Sequence, residues 1–205
     1  MQSEAMIYDE VFDAQQHFRL ILDSMARPGK VNVLAPMDIQ APSGINNASA
    51  LIALALLNTD ASFCAEYDDA VAGFIALHTS AKKAGKDKAD LVFIPGLQSS
   101  AFIETLKIGT LSYPEDSATI VANVATISTS PINNSLQVTL KGPGVKDTET
   151  IYVLGLNPAI LTDIKEQNQE FPLGIDLILT DAQNHMICIP RSNDLTFSSV
   201  GNSNN

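Results

Sequence analysis

The sequence predicts a mixed α/β domain in which helices are layered on a mixed sheet, and three observations carry that prediction. Apolar residues recur at helical spacing in the first third of the chain, and short β-rich runs fill the second half. The two kinds of segment also interleave from residue 30 onward.

From Glu10 to Arg27, the residues Val11, Ala14, Phe18, Ile21, Leu22 and Met25 recur at three- and four-residue steps, with Arg19 and Asp23 on the opposite side, which predicts an amphipathic helix. Pro28-Gly29 stops it. Lys30 to Ala35 alternates like a strand, and Asn46 or Asn47 then caps an apolar helix running through Leu57. Ser62 to Glu66 reads as a short strand, and Asp68 opens a helix containing Val71, Phe74, Ile75 and His78. Lys82 to Lys88 reads as a solvated basic loop. Asp90 to Ile94 is a continuous buried strand closed by Pro95-Gly96. Leu97 to Ile108 reads as a helix ended by Gly109.

The second half predicts strands at Ala118 to Ile127, Leu136 to Lys141, Thr150 to Leu154, Asp176 to Thr180 and Met186 to Ile189. Asn157-Pro158 starts a helix through about Gln167, with proline at the first position, where no amide partner is lost. Asp181 to His185 is turn chemistry, so the last two strands form an antiparallel hairpin. With no internal repeat and no polar linker, one domain over residues 1–197 is expected. Ser198 to Asn205 has a single apolar residue and is expected to be a frayed tail.

Twelve Lys and Arg against twenty-three Asp and Glu give a net charge of −11, the wrong sign for a duplex nucleic-acid binder. The most apolar run, Ala48 to Leu57, is half the length of a membrane span, which needs about 20 residues. The first ten residues contain Glu4, Asp9 and Glu10 and lack the layout of a secretory signal, so a cytoplasmic protein is expected. Cys64 and Cys188 stand alone, without zinc or redox spacing, and are expected to be reduced core residues. A composition 45% hydrophobic and 17% charged makes subunit contacts plausible.

Residue chemistry alone yields few candidate sites. Neither a GxxxxGK[ST] nor a GxGxxG phosphate cradle is present. Lys141-Gly142-Pro143-Gly144 comes closest, either as a strand-ending turn or as amides and an ammonium presented to an anion. His17, His78 and His185 lack metal-site spacing and are surface or interface residues unless one is catalytic. Asp176 and Arg191 fall at the open end of the predicted hairpin. They form an ion pair there, or Arg191 offers its planar fork to a phosphate or to a partner's carboxylate. Arg19 and Arg27 are interface candidates, with a solvated helix face as the alternative.

Two groups of residues carry a family resemblance. Asp13-Ala14-Gln15, Phe18-Arg19 and Met25 to Gly29 (MARPG), together with Phe171 to Thr180 (FPLGIDLILT) and Ile189-Pro190-Arg191, resemble the H subunit of bacterial carbon-phosphorus lyase. Weaker matches lie between them at Gly109-Thr110, Pro114-Glu115, Ala118-Thr119, Leu140, Gly142 and Gly144, so the resemblance runs from about Tyr8 to Leu195. Residues 60–88 match less well.

The resemblance implies a three-layer α/β/α fold similar to that of pyridoxal-phosphate-dependent transferases, but without the cofactor. The sequence is compatible with that, because apart from Lys141 its lysines fall in helices, loops or polar runs and not at the end of a core element. It further implies a homodimer that joins the G, I and J subunits and works functionally with L. Together these attach a phosphonate to the ribose of a purine nucleoside triphosphate, giving a ribose phosphonate triphosphate. Nucleosidase chemistry belongs to I and radical cleavage to J in that family, so the resemblance brings no catalytic, metal or cofactor residue to this chain and implies an accessory, scaffolding role.

Overall fold

The computed structural model describes residues 8–201 of the chain. Its helical layer begins with α1 (Phe12–Ala26). The Asp9 carboxylate accepts from the Val11 and Phe12 amides, each at 2.8 Å, and the Asp13 carboxylate reaches back to the Asp9 amide at 2.8 Å. This reciprocal cap satisfies amides that the first turn leaves open and holds the Asp9 carboxyl below its ordinary range. The buried stripe of α1 is His17, Ile21 and Ser24. Val11, Phe18 and Leu22, expected in the core, instead face solvent, because two polar residues and one isoleucine supply the face that meets the sheet.

Asn46 caps α2 (Asn47–Leu56) as expected, its side chain accepting from the Ser49 amide at 2.7 Å. Asp68 likewise caps α3 (Asp69–Thr79). These three helices cover one face of a seven-stranded sheet in the order β1 (Asn32–Val33), β10 (His185–Ile189), β9 (Asp176–Thr180), β5 (Thr119–Asn123), β4 (Leu91–Pro95), β2 (Ser62–Ala65), β3 (Lys82–Lys83). Strands β9, β5, β4, β2 and β3 run parallel, and β10 and β1 add antiparallel. The strand read over Lys30 to Ala35 shrinks to two residues. Lys82 and Lys83, read as loop, pair with Ser62 and Phe63 at the far edge.

The other face of the sheet packs against a second, antiparallel sheet in the order β11 (Asp194–Ser199), β7 (Leu136–Lys141), β8 (Glu149–Leu154), β6 (Thr126–Ser128), together with α4 (Pro158–Gln167). The alternation of the central strands sorts their side chains. Val92, Ile94, Ile120, Ala122, Leu177 and Leu179 join the core shared with the second sheet, while Phe93, Val121 and Ile178 join the core under the helices.

Three other expectations are corrected. The apolar run from Ala118 to Ile127 is two strands, because Val124 donates to Thr180 O at 2.8 Å while the next amide, Ala125, donates to Leu154 O at 2.9 Å. The chain changes sheets between those residues. Leu97 to Ile108 is a series of turns with one 3-10 turn, Ile103–Thr105, closed by bonds such as Ile103 to Ser100 O at 2.8 Å. Phe102, Ile103 and Leu106 are buried without α-helical geometry. Ser198 and Ser199, assigned to the tail, pair with Gln137 and Leu136, because the strand continues past its last apolar residue. The end of the expected tail, residues 202–205, lies outside the described residues.

Stability should decline with acid over two pH ranges. Burial holds the His17 imidazole below its usual pKa of 6.5, so the unfolded chain takes up that proton first and stability declines as pH falls below 6.5. Burial alone would raise the Asp90 carboxyl, but hydrogen bonds from Lys107 and Ser62 outweigh it and leave it below 3.8. Its contribution is present above that value and is lost as pH falls through the folded-state pKa. Urea midpoints of His17→Asn against the parent between pH 7 and 5 check the first range, where the variant should show the flatter profile. Asp90→Asn should flatten the profile only below pH 4.

Candidate functional site

The expected pairing of Asp176 and Arg191 forms. Asp176 opens β9 and Arg191 follows β10, and antiparallel pairing sets Ile189 against Leu177, one residue further in. Arg191 donates its backbone amide (2.8 Å) and Nε (3.2 Å) to Asp176 Oδ1, and an Nη2 proton to Oδ2 at 2.5 Å. Its Nη1 donates to Pro114 O at 2.8 Å. Both side chains are largely buried, at 15% and 17% exposure, so this guanidinium is spent on stitching the loop of residues 109–116 to the hairpin end. Around it stand Pro114, Pro172, Pro190 and the exposed ring of Phe171 (66%), and the loop it ties down carries the exposed Tyr113 (61%) and Leu111 (77%). Segments that carry the family resemblance, Pro114-Glu115, FPLGID and IPR, converge here. Arg191 and Asp176 are legible in the sequence, and the apolar residues around them are not. Their one signal is large apolar side chains within turn-rich segments such as Gly109 to Asp116 (GTLSYPED).

Other matched segments meet elsewhere. MARPG closes α1, and its Gly29 packs on Glu149 so tightly that a Cβ would come within 2.7 Å of Glu149 Cγ. Gly144, at φ +80°, approaches so closely that a Cβ there would lie 2.4 Å from Ala26 O. The KGPG turn is thus the socket for the end of α1. Beside it, Arg27, Lys30, Lys146, Thr129 and Glu149 line a groove of about 440 Å³. Arg27 and Lys30 both pair with Asp23, which also accepts from Asn32 at 3.1 Å. Lys141 does not line that groove. It is exposed at the end of β7, opposite Asp194. Arg19 is exposed on α1, so the five sequence candidates occupy separate places, apart from the Arg191–Asp176 pair.

A further polar cluster, unread in the sequence beyond its helix cap, sits at the carboxyl ends of β5 and β9, where open α/β sheets commonly receive ligands. Asn46 Nδ2 donates to Asn123 Oδ1 at 2.7 Å and to Thr180 Oγ1 at 3.1 Å, and Ser49 and Thr180 share a hydroxyl bond of 2.6 Å. These groups satisfy one another and lock the start of α2 onto the sheet.

The remaining candidates are structural in their contacts. Cys188 is fully buried, which pushes its thiol up to about 12, and burial followed by the nearby Glu66 raises Cys64, the reverse of nucleophile activation. His17 is buried against Tyr8, His78 packs on Phe74 with ring centres 4.7 Å apart, and His185 Nδ1 lies 2.9 Å from Asp181 Oδ2. Among the described residues no cluster of three His, Cys, Asp or Glu could hold a metal ion, and no helix is long and apolar enough to cross a membrane.

Fold and contacts together define a mixed α/β protein whose distinctive segments build joints between layers and one exposed apolar end. The chain belongs to the bacterial phosphonate metabolism protein (PhnH) family, whose model matches residues 5–196. It is 31% identical over 205 aligned residues to the alpha-D-ribose 1-methylphosphonate 5-triphosphate synthase subunit PhnH of Rhizobium meliloti (strain 1021), covering 95% of this chain and 98% of that one. It is 28% identical over 180 residues to HtxG of Stutzerimonas stutzeri, provisionally named a C-P lyase subunit protein, covering 87% and 83% respectively.

Proposed function

We propose that this chain is an accessory, non-catalytic subunit of the enzyme complex that joins an alkylphosphonate to the ribose of a purine nucleoside triphosphate in phosphonate breakdown. Near full-length similarity to a named synthase subunit is the observation that carries this reading. The geometry supports it, because Arg191 and Asp176 are committed to each other and Asn46, Ser49, Asn123 and Thr180 at the carboxyl end of the sheet are hydrogen-bonded among themselves. On this reading the protein is a cytoplasmic homodimer that binds the G, I and J subunits and acts alongside L. Phe171 beside Arg191, with Leu111 and Tyr113 of the loop that Arg191 ties down through Pro114, form the contact with another subunit, and Arg19, Arg27 and Lys141 lie at interfaces. Helices on one face of the central sheet, and α4 beside the second antiparallel sheet on the other, are compatible with a three-layer arrangement similar to the transferase fold, with that second sheet as an addition.

Complementation tests the reading. A bacterial host deleted for its own H subunit should regain growth on methylphosphonate as sole phosphorus source when it expresses this chain together with its cognate G, I, J and L subunits. Growth that is equally restored when this chain is omitted would overturn the proposal. The double variant Tyr113→Ala/Phe171→Ala should fold normally and fail to restore growth.

A further inference from the structure

A sheet edge is a row of open backbone donors and acceptors, and folded proteins blunt it by keeping it short or charged. Among the described residues, three of the four edges follow that rule. β1 has 2 residues, β3 has 2, both lysine, and β6 has 3. β11 does not follow it. This strand runs for 6 residues along the outside of the antiparallel sheet, pairs there with β7, and contains no proline, no lysine and a single charge, Asp194. The register says which of its groups are open. Val200 donates to Ser135 O at 2.8 Å and accepts from the Asn134 amide at 3.2 Å, so residues 194, 196, 198 and 200 turn their amides and carbonyls toward β7. Leu195, Phe197 and Ser199 turn theirs outward, and among the described residues these amides and carbonyls have no hydrogen-bond partner. The side chains of the same residues lie on the core face. Leu195 is buried there, whereas Phe197 is only partly covered.

We infer that β11 receives an extended segment of another subunit, which joins the sheet as a fifth strand through the open groups of Leu195, Phe197 and Ser199. That segment alternates apolar and polar residues, because one of its faces meets solvent while the other completes the cover of Phe197. Another subunit is the occupant because the edge is continuous with the surface proposed above for subunit contact. Phe171, Asp194 and Leu195 line one hollow of about 380 Å³, so a chain that docks on Phe171 reaches the start of β11. The inference rests on the accessory-subunit reading and adds the mode of contact.

Hydrogen exchange, resolved residue by residue on the full chain alone and in the complex captured by co-expression with its G, I and J subunits, tests it. In the isolated chain the amides of Leu195, Phe197 and Ser199 should exchange freely while those of Thr196 and Ser198 are protected. In the complex the three outward amides should slow by at least about tenfold. Ser199→Pro removes one outward amide and leaves the β7 ladder whole, so it should keep the parent's urea midpoint and lose capture, whereas Ser199→Ala should be captured like the parent. Outward amides that stay fast within the complex, or full capture of Ser199→Pro, would overturn the inference and leave the accessory-subunit reading standing. Outward amides already slow in the isolated chain would mean that the chain itself or a second copy fills the edge, which also overturns it. A parent that is not captured at all would overturn both.

Discussion

Asp181→Ala is expected to lower the unfolding free energy by about 3–5 kcal/mol, a fall in Tm on the order of 10 °C. Asp181 is fully buried, and its two oxygens accept four hydrogen bonds. Oδ1 takes the amides of Gln183 (2.9 Å) and His185 (3.0 Å), and Oδ2 takes the Ile127 amide (2.9 Å) and meets His185 Nδ1. One carboxylate therefore shapes the β9–β10 turn and ties it to β6 of the other sheet, just past the point where the chain changes sheets. Truncation strands the buried Ile127 amide, and the turn amides lose the acceptor that fixes them. Asp181→Asn keeps an acceptor for the turn but presents an amide group to one of the donors, so it should cost less. Urea denaturation checks the order, and a loss under about 1 kcal/mol for alanine would show that water or the relaxed turn replaces the carboxylate.

Asp176→Ala should cost about 2–4 kcal/mol, because it leaves a guanidinium that is largely out of water with only Pro114 O as partner. Arg191→Ala also frees the loop around Pro114, which is otherwise tied to the hairpin through that guanidinium. A double-mutant cycle should give a favourable coupling above about 1 kcal/mol, since removing both partners leaves no buried charge behind. Arg191→Lys should fail to rescue, because a single ammonium cannot meet both Asp176 oxygens and Pro114 O at once. Additive losses would show that the pair is not coupled. Partner capture should weaken along with stability in Arg191→Ala, because the displaced loop carries Leu111 and Tyr113.

Local signals in the sequence suffice wherever one rule decides the outcome. Asn46, Asp68 and Asn157 each begin a helix by accepting a backbone amide, and all three were legible because capping is a contact within three residues. Leu136 to Lys141 and Asp176 to Thr180 have the bounds expected from their apolar patterns. What failed depended on distant partners. Nothing local separates Asn123 from Thr126; the break arises because β9 and β8 compete for successive amides. The apolar periodicity of α1 was real, yet it mixes a face toward the sheet with a face toward solvent, and the sequence carries no mark of which is which. The ion pair of Asp176 and Arg191 was legible because hairpin register links them. The hydroxyl and amide cluster of Asn46, Ser49, Asn123 and Thr180 was not, because its members lie up to 134 residues apart.

Native mass spectrometry of this protein, alone and after co-expression with the G, I and J subunits of its own genome, tests the central claim most directly. The account predicts that the chain enters a larger assembly containing those subunits at a fixed stoichiometry. A chain that stays at its solitary mass in their presence would contradict it.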